Sequence, residues 1–126
     1  MQVPDDLLYT EEHEWVRDVG DSLVRIGITD YAQDQLGDVV YVELPEVGKE
    51  VAKDDVLVEV ESTKSVGEVY APFAGTITDV NAAIAESPEL VNQSPYQDGW
   101  LVMMSLGETL PSDGLLTAAE YRALTE

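Results

Sequence analysis

Lys64 stands in Glu61-Ser62-Thr63-Lys64-Ser65, between two runs of strand-like residues, and is one of only three lysines with Lys49 and Lys53. Small polar Ser62, Thr63 and Ser65 leave its amine sterically open, and Glu61 and Glu68 flank it at short spacing. Most lysines in turns are merely solvated. An exposed primary amine on a rigid hairpin is also what a modifying enzyme needs to find one lysine among several. Its nucleophilicity need not be raised locally when an acyl-adenylate on that enzyme supplies the activation. The second constellation is His13-Glu14-Trp15. A lone histidine at a strand start is usually a surface group, yet His13 is the one side chain here whose unperturbed pKa lies near neutrality. The neighbouring carboxylate of Glu14 is suited to pairing with a cationic ligand.

The composition bounds what these groups can do. The chain has 126 residues, with Lys+Arg 6 against Asp+Glu 26, a formal net charge of −20. That length fits one domain spanning 1–126, and 44% hydrophobic residues fit a packed core rather than disorder. The charge excludes bare nucleic acid and anionic membrane as partners, because nothing here can displace counterions from phosphates. It favours basic surfaces on larger partners. No apolar run approaches the roughly 20 residues of a membrane span, and Met1-Gln2-Val3-Pro4-Asp5-Asp6 is no signal peptide, so a cytoplasmic location is expected. Zero cysteines exclude disulfides, thiolate metal sites and a cysteine nucleophile, and a single histidine excludes a multi-histidine metal site. No phosphate-binding glycine motif and no EF-hand spacing occurs, so no metal is expected. Whatever chemistry the chain takes part in is expected to be imported, and the chain itself not to be an enzyme.

The elements that must position these residues follow from pattern. Glu14 to Val19 and Leu23 to Ile28 flank Gly20-Asp21-Ser22 as a hairpin. Thr29 or Asp30 caps a helix of about two turns, with Gln33 returning a bond to Asp30 and Gly37 at its end. Val39 to Leu44 reads as a buried strand. In the run from Val56 to Glu61, alternation puts Val56, Val58 and Val60 on one face and Leu57, Glu59 and Glu61 on the other. Ser62 to Ser65 interrupts this run and Val66 to Ala71 resumes it, a hairpin over about 56–71 with Lys64 near its apex. Gly75 opens a strand from Thr76 to Val80, Ser87-Pro88-Glu89 starts a short helix, and Trp100 to Leu106 is the last strand. Thr117 and Glu120 form a capping box for a C-terminal helix whose Tyr121 and Leu124 pack on the body. The segments from Val47 and from Ala74 echo each other, which predicts two small sheets related by a pseudo-twofold. The fold class is mainly β with short peripheral helices.

These residues together resemble a family. Glu61 three positions before Lys64, and Gly75 eleven after it, resemble the lipoyl-attachment pattern. His13-Glu14-Trp15, Ile26-Gly27-Ile28-Thr29-Asp30, Val42-Glu43-Leu44-Pro45 and Val69-Tyr70-Ala71-Pro72 resemble the glycine cleavage system H protein family. Asn92-Gln93-Ser94-Pro95-Tyr96, Gly99-Trp100-Leu101 and Ala119-Glu120-Tyr121 continue the likeness in collinear order. The resemblance implies a barrel-sandwich hybrid of two small antiparallel sheets, with N- and C-terminal additions, acting as a monomer. It implies that Lys64 carries covalent lipoic acid, installed by a lipoate-attaching enzyme. The implied partners are the pyridoxal-phosphate glycine decarboxylase, the tetrahydrofolate-dependent aminomethyltransferase and the flavin-dependent dihydrolipoyl dehydrogenase. A chain without cysteine would then owe its sulfur chemistry to the group it carries. The loaded arm is implied to fold back on the body, with Glu14 at a position lining the resting cleft and able to receive an ammonium. On that expectation Glu14→Ala speeds loss of the aminomethyl load. His13, Tyr31 and Glu68 are the further arm-docking candidates. Where the family often has histidine this chain has Tyr31, a phenol that hydrogen-bonds but does not titrate near neutrality.

Other readings share parts of this pattern. A biotin carrier places methionine on both sides of its lysine, where Thr63 and Ser65 stand here. A lipoyl domain of a 2-oxoacid dehydrogenase more often has aspartate before the lysine. An acidic interaction protein would leave Lys64 unmodified, and intact mass separates all of these. A hydrolase built on His13 would lose its activity in His13→Ala.

Overall fold

The computed structural model describes residues 2–107 and 114–125. Nine strands run as β1 (Leu8–Tyr9), β2 (Glu14–Gly20), β3 (Leu23–Ile28), β4 (Val39–Glu43), β5 (Glu50–Val51), β6 (Val56–Ser62), β7 (Val66–Tyr70), β8 (Gly75–Val80) and β9 (Val102–Ser105). Four helices accompany them: α1 (Asp30–Leu36), α2 (Ala82–Glu86), α3 (Leu90–Gln93) and α4 (Ala118–Thr125). The strands form two antiparallel sheets, one in the order β1-β2-β3-β9-β8-β5 and one in the order β4-β6-β7. Six strands against three is not the symmetric pair that the internal echo predicts. The echo survives locally: its two segments pair antiparallel, Glu50 with Thr76 and Val51 with Gly75.

The inward faces of both sheets meet in one cluster that includes Val24, Ile26, Val42, Val58, Val60, Val69, Ile77 and Met104. A second cluster gathers Tyr9, Trp15, Tyr96, Ala118 and Tyr121, fastening α4 and the N-terminal segment to the back of the larger sheet. Trp15 sets the geometry there. Its indole N–H donates to the Pro95 carbonyl at 2.9 Å, and a Cβ on Gly27 would lie 2.6 Å from its ring, so only glycine fits opposite it.

Several expectations are corrected. β6 does not alternate cleanly: its register with β7 shifts between Val56 and Val58, and this bulge turns Leu57 inward and Val56 outward. β4 is only half buried, because the outer face of the three-stranded sheet is uncovered and leaves Val40 and Tyr41 about half exposed. The segment at Ser87 makes no side-chain cap, since α3 starts after Glu89, whose backbone is already helical. α2, capped by Asn81, precedes it instead. In α4 the capping box forms as expected, Thr117 N–H to Glu120 Oε1 at 2.9 Å and Glu120 N–H to Thr117 Oγ1 at 3.2 Å. Tyr121 is fully buried, but Leu124 is 50% exposed and does not pack on the body.

Candidate functional site

Lys64 sits at the tip of the β6–β7 hairpin, exposed. The turn is closed by Ser62 N–H to the Ser65 carbonyl at 2.8 Å. Ser62 Oγ also accepts from the Lys64 and Ser65 N–H groups at 3.3 and 3.1 Å. Short hairpin loops usually rely on residues with positive φ; neither Thr63 nor Lys64 has one. The Ser62 side chain stabilises the turn in their place. The tip is then anchored from outside, because Thr63 N–H donates to the Asp38 carbonyl at 3.0 Å. Beside it, a Cβ on Gly37 would stand 3.0 Å from Lys64 Cε, so the lysine stem lies along bare backbone at the end of α1.

That backbone is itself held. Asn92 on α3 donates from Nδ2 to the Gly37 carbonyl and to Gln33 Oε1, both at 2.9 Å. Its Oδ1 accepts from Val39 N–H at 2.8 Å. Asn92 thus uses three hydrogen-bonding positions to fix the corner against which the lysine tip rests. α1 enters that corner with Thr29 as its cap, Ala32 N–H donating to Thr29 Oγ1 at 3.1 Å. It leaves through Gly37 at φ 85°, a conformation suited to glycine.

Between α1 and the edge strand β7 runs a groove of about 190 Å³. Its floor is apolar, from Ile28, Ala32, Leu36, Val60 and Val69, and Glu12, His13, Tyr31 and Glu68 stand along it. Gly67 keeps it open on the β7 side, since a Cβ there would approach Leu36 to 3.0 Å. The His13 and Tyr31 rings lie 4.7 Å apart between centroids. His13 has φ 66°, a left-handed conformation uncommon for a residue other than glycine. It is held there by Thr29 N–H to the His13 carbonyl at 3.1 Å and His13 N–H to the Thr10 carbonyl at 3.2 Å. Burial pushes the His13 imidazole pKa down, against the opposing pull of Glu12.

Three of the four expected docking residues, His13, Tyr31 and Glu68, therefore share one groove. Glu14 does not. It is 2% exposed, on the core side of β2. Its Oε2 accepts from Tyr70 N–H at 2.7 Å and its Oε1 from the Thr10 hydroxyl at 3.1 Å. Burial raises its pKa from 4.5 to about 7 even though both hydrogen bonds favour the carboxylate. Both oxygens are committed, so Glu14 ties the last residue of β7 to the N-terminal segment rather than facing a ligand. Glu61 lies on the exposed face of β6 opposite Val66 and Tyr41. Gly75 is in the other sheet, where a Cβ would come within 2.5 Å of the Ser105 carbonyl, so its need for glycine is strand packing.

Sequence reasoning missed Glu12, Gln35 and Leu36 as groove residues and Asn92 as the anchor of the corner. Ala32 and Leu36, four apart on a short helix, carried the signal for an apolar wall. Asn92 carried none, because its partners are 53 to 59 residues away.

A two-sheet β fold with an exposed lysine at a tight hairpin tip is a lipoyl-carrier fold. The family model for the glycine cleavage H-protein matches residues 7–126. The glycine cleavage system H protein of Geobacillus kaustophilus is 52% identical over 124 residues, covering 98% of this chain and 97% of that protein. That of Mycolicibacterium smegmatis is 54% identical over 128 residues, covering 98% and 96%. The crystal structure of a glycine cleavage system H protein from Mycobacterium marinum superposes with a TM-score of 0.86 at 39% identity, covering 98% of each chain. The chain belongs to the glycine cleavage H-protein family, whose role is that of a lipoyl-bearing shuttle.

Proposed function

We propose that Lys64 is the acylated residue, carrying lipoate through an amide, and that this chain passes its load between three separate enzymes. These are the glycine decarboxylase, the aminomethyltransferase and the dihydrolipoyl dehydrogenase, with a lipoate-attaching enzyme acting first. The observation that carries the reading is the Lys64 tip, solvent-open at its amine and fixed at Asp38 and Gly37 behind it. Bound there, lipoate supplies the sulfur that this cysteine-free chain lacks.

The chain's own residues tether, present and shelter. Ser62 and Asp38 hold the backbone of the tip so that one amine is offered from one fixed position. The groove fits the attached group's chemistry: its apolar floor suits the hydrocarbon chain, and the polar side chains along it, His13, Tyr31, Glu12 and Glu68, suit the amide and the polar load that the chain carries. Glu14 serves this site from beneath by fixing Tyr70 on β7. The chain works as a monomer in the cytoplasm and makes no bonds itself. Among the described residues no helix is long and apolar enough to cross a membrane.

The test is reconstitution of glycine–bicarbonate exchange with the decarboxylase. Exchange should need the lipoylated chain and be absent with the unmodified one. Equal exchange from both forms would refute the reading.

A further inference from the structure

One hydrogen-bond chain behind the groove is left unused by the carrier role. The Tyr121 hydroxyl, on α4, lies 2.8 Å from His13 Nδ1 and 2.7 Å from Thr29 Oγ1. Thr29 and Tyr121 are closed to solvent. A hydroxyl has one proton to give and two lone pairs. Thr29 Oγ1 already accepts Ala32 N–H as the cap of α1, and its only other partner among the described residues is Tyr121.

The hydrogen-bond chain can run with His13 Nδ1 protonated or bare. If His13 Nδ1 carried the proton, it would donate to Tyr121, and Tyr121 would donate to Thr29. The Thr29 proton would then have no acceptor among the described residues in a site closed to solvent, and if Thr29 donated to Tyr121 instead, the Tyr121 proton would have none; either is unfavourable. In the reverse polarity every group is matched. Thr29 donates to Tyr121, Tyr121 donates to Nδ1, and the imidazole proton sits on Nε2. That second nitrogen has no protein partner among the described residues, and it is not among their solvent-excluded unpaired atoms. His13 also lines the groove.

We propose that Tyr121 is a positioning residue, holding His13 as the Nε2–H tautomer so that the groove presents a neutral hydrogen-bond donor at this wall. The C-terminal helix thereby sets the chemistry of a site to which it contributes no lining residue. The partner His13 selects is an acceptor, such as the carbonyl of an amide formed on a lysine, and not an ammonium. The identity of that occupant rests on the proposed acylation of Lys64; the tautomer does not.

The chain has one histidine, so ring nitrogen–proton NMR correlations of the full unmodified protein at neutral pH belong to His13 alone. The Nε2–H form should predominate in the wild type and in Thr29→Ser, which keeps the chain intact. In Tyr121→Phe both tautomers should be populated. If Tyr121→Phe does not fold, Thr29→Ala should show the same mixture, because it frees Tyr121 to turn either way. An Nδ1–H wild type, or an unchanged tautomer in the folded variant, would overturn the proposal. After acylation the Nε2–H resonance should move in the wild type, and an unmoved resonance would overturn the assigned acceptor. Failure of Lys64 to become acylated at all would instead refute the proposed function and leave the tautomer result standing.

Discussion

The hairpin tip and the groove behind it are built in opposite ways. The tip is one short run, Ser62 to Ser65, closed mainly by its own serine and fixed by one outside bond to Asp38. The groove draws on the loop before β2, the end of β3, α1, and both strands of the hairpin, with the third side of its frame set by Tyr121 on α4. A function placed on the tip depends on a single amine and is lost all at once. A function placed in the groove is spread over many contacts and is lost by degrees. The arrangement suits the proposed carrier role, in which the attachment point would sit on a simple turn and the arm would rest on the packed body.

The largest effect tests the tip. Lys64→Arg keeps the charge but offers no acylable amine, so glycine-dependent transfer should vanish with no change in the unfolding midpoint. Measurable transfer would show that the tip is not the sole attachment point.

Next comes the frame of the groove. Because Glu14 binds its proton more tightly folded (about 7) than unfolded (4.5), the folded chain holds the extra proton between those values. Its contribution to stability is therefore greatest below about pH 4.5, falls as pH rises towards 7, and is constant above. The total fall is at most about 3 kcal/mol. Urea unfolding at a series of pH values should show this slope, and Glu14→Gln, which cannot ionise, should flatten it. An identical slope in the variant would place the linkage elsewhere.

Gly75→Ala comes third, and it separates fold from recognition. The added Cβ meets the Ser105 carbonyl, and overpacking of this kind costs about 2 kcal/mol. At a temperature where the variant stays folded, lipoylation should proceed at the wild-type rate. Slow lipoylation of a fully folded variant would mean that Gly75 is recognised directly.

The smallest effect lies on the open face beneath the tip. Glu43, Glu59 and Glu68 stand directly opposite one another across β4, β6 and β7, and Glu43 leads the causes that raise the Glu59 pKa. Like charges in cross-strand register repel. Glu59→Gln should raise the unfolding midpoint slightly, and more at low salt than at high. No gain at low salt would mean the row is already neutralised.

The same contrast explains what was legible in the sequence. Lys64, its hairpin, the Gly37 stop and the Thr117 capping box are local patterns, and each stands where residue order placed it. The bulge at Val56 was hidden because it depends on the register of β7, which alternation within β6 cannot reveal. β1 and β5, at two residues each, are too short for any periodicity to mark. Leu124 follows helical spacing, yet α4 offers the body only Ala118 and Tyr121 as buried residues. Glu14 was read beside His13, but His13 closes the loop before β2 in a left-handed conformation (φ 66°) while Glu14 is the first residue of the strand, so the two side chains part company. The carboxylate went inward to Tyr70 while the imidazole took the groove.

The most direct test of the central claim is the intact and peptide mass of this chain from cells supplied with lipoate. The account predicts one lipoyl adduct, located on Lys64 and absent from Lys49 and Lys53. A chain without the adduct, or with it on another lysine, would contradict it.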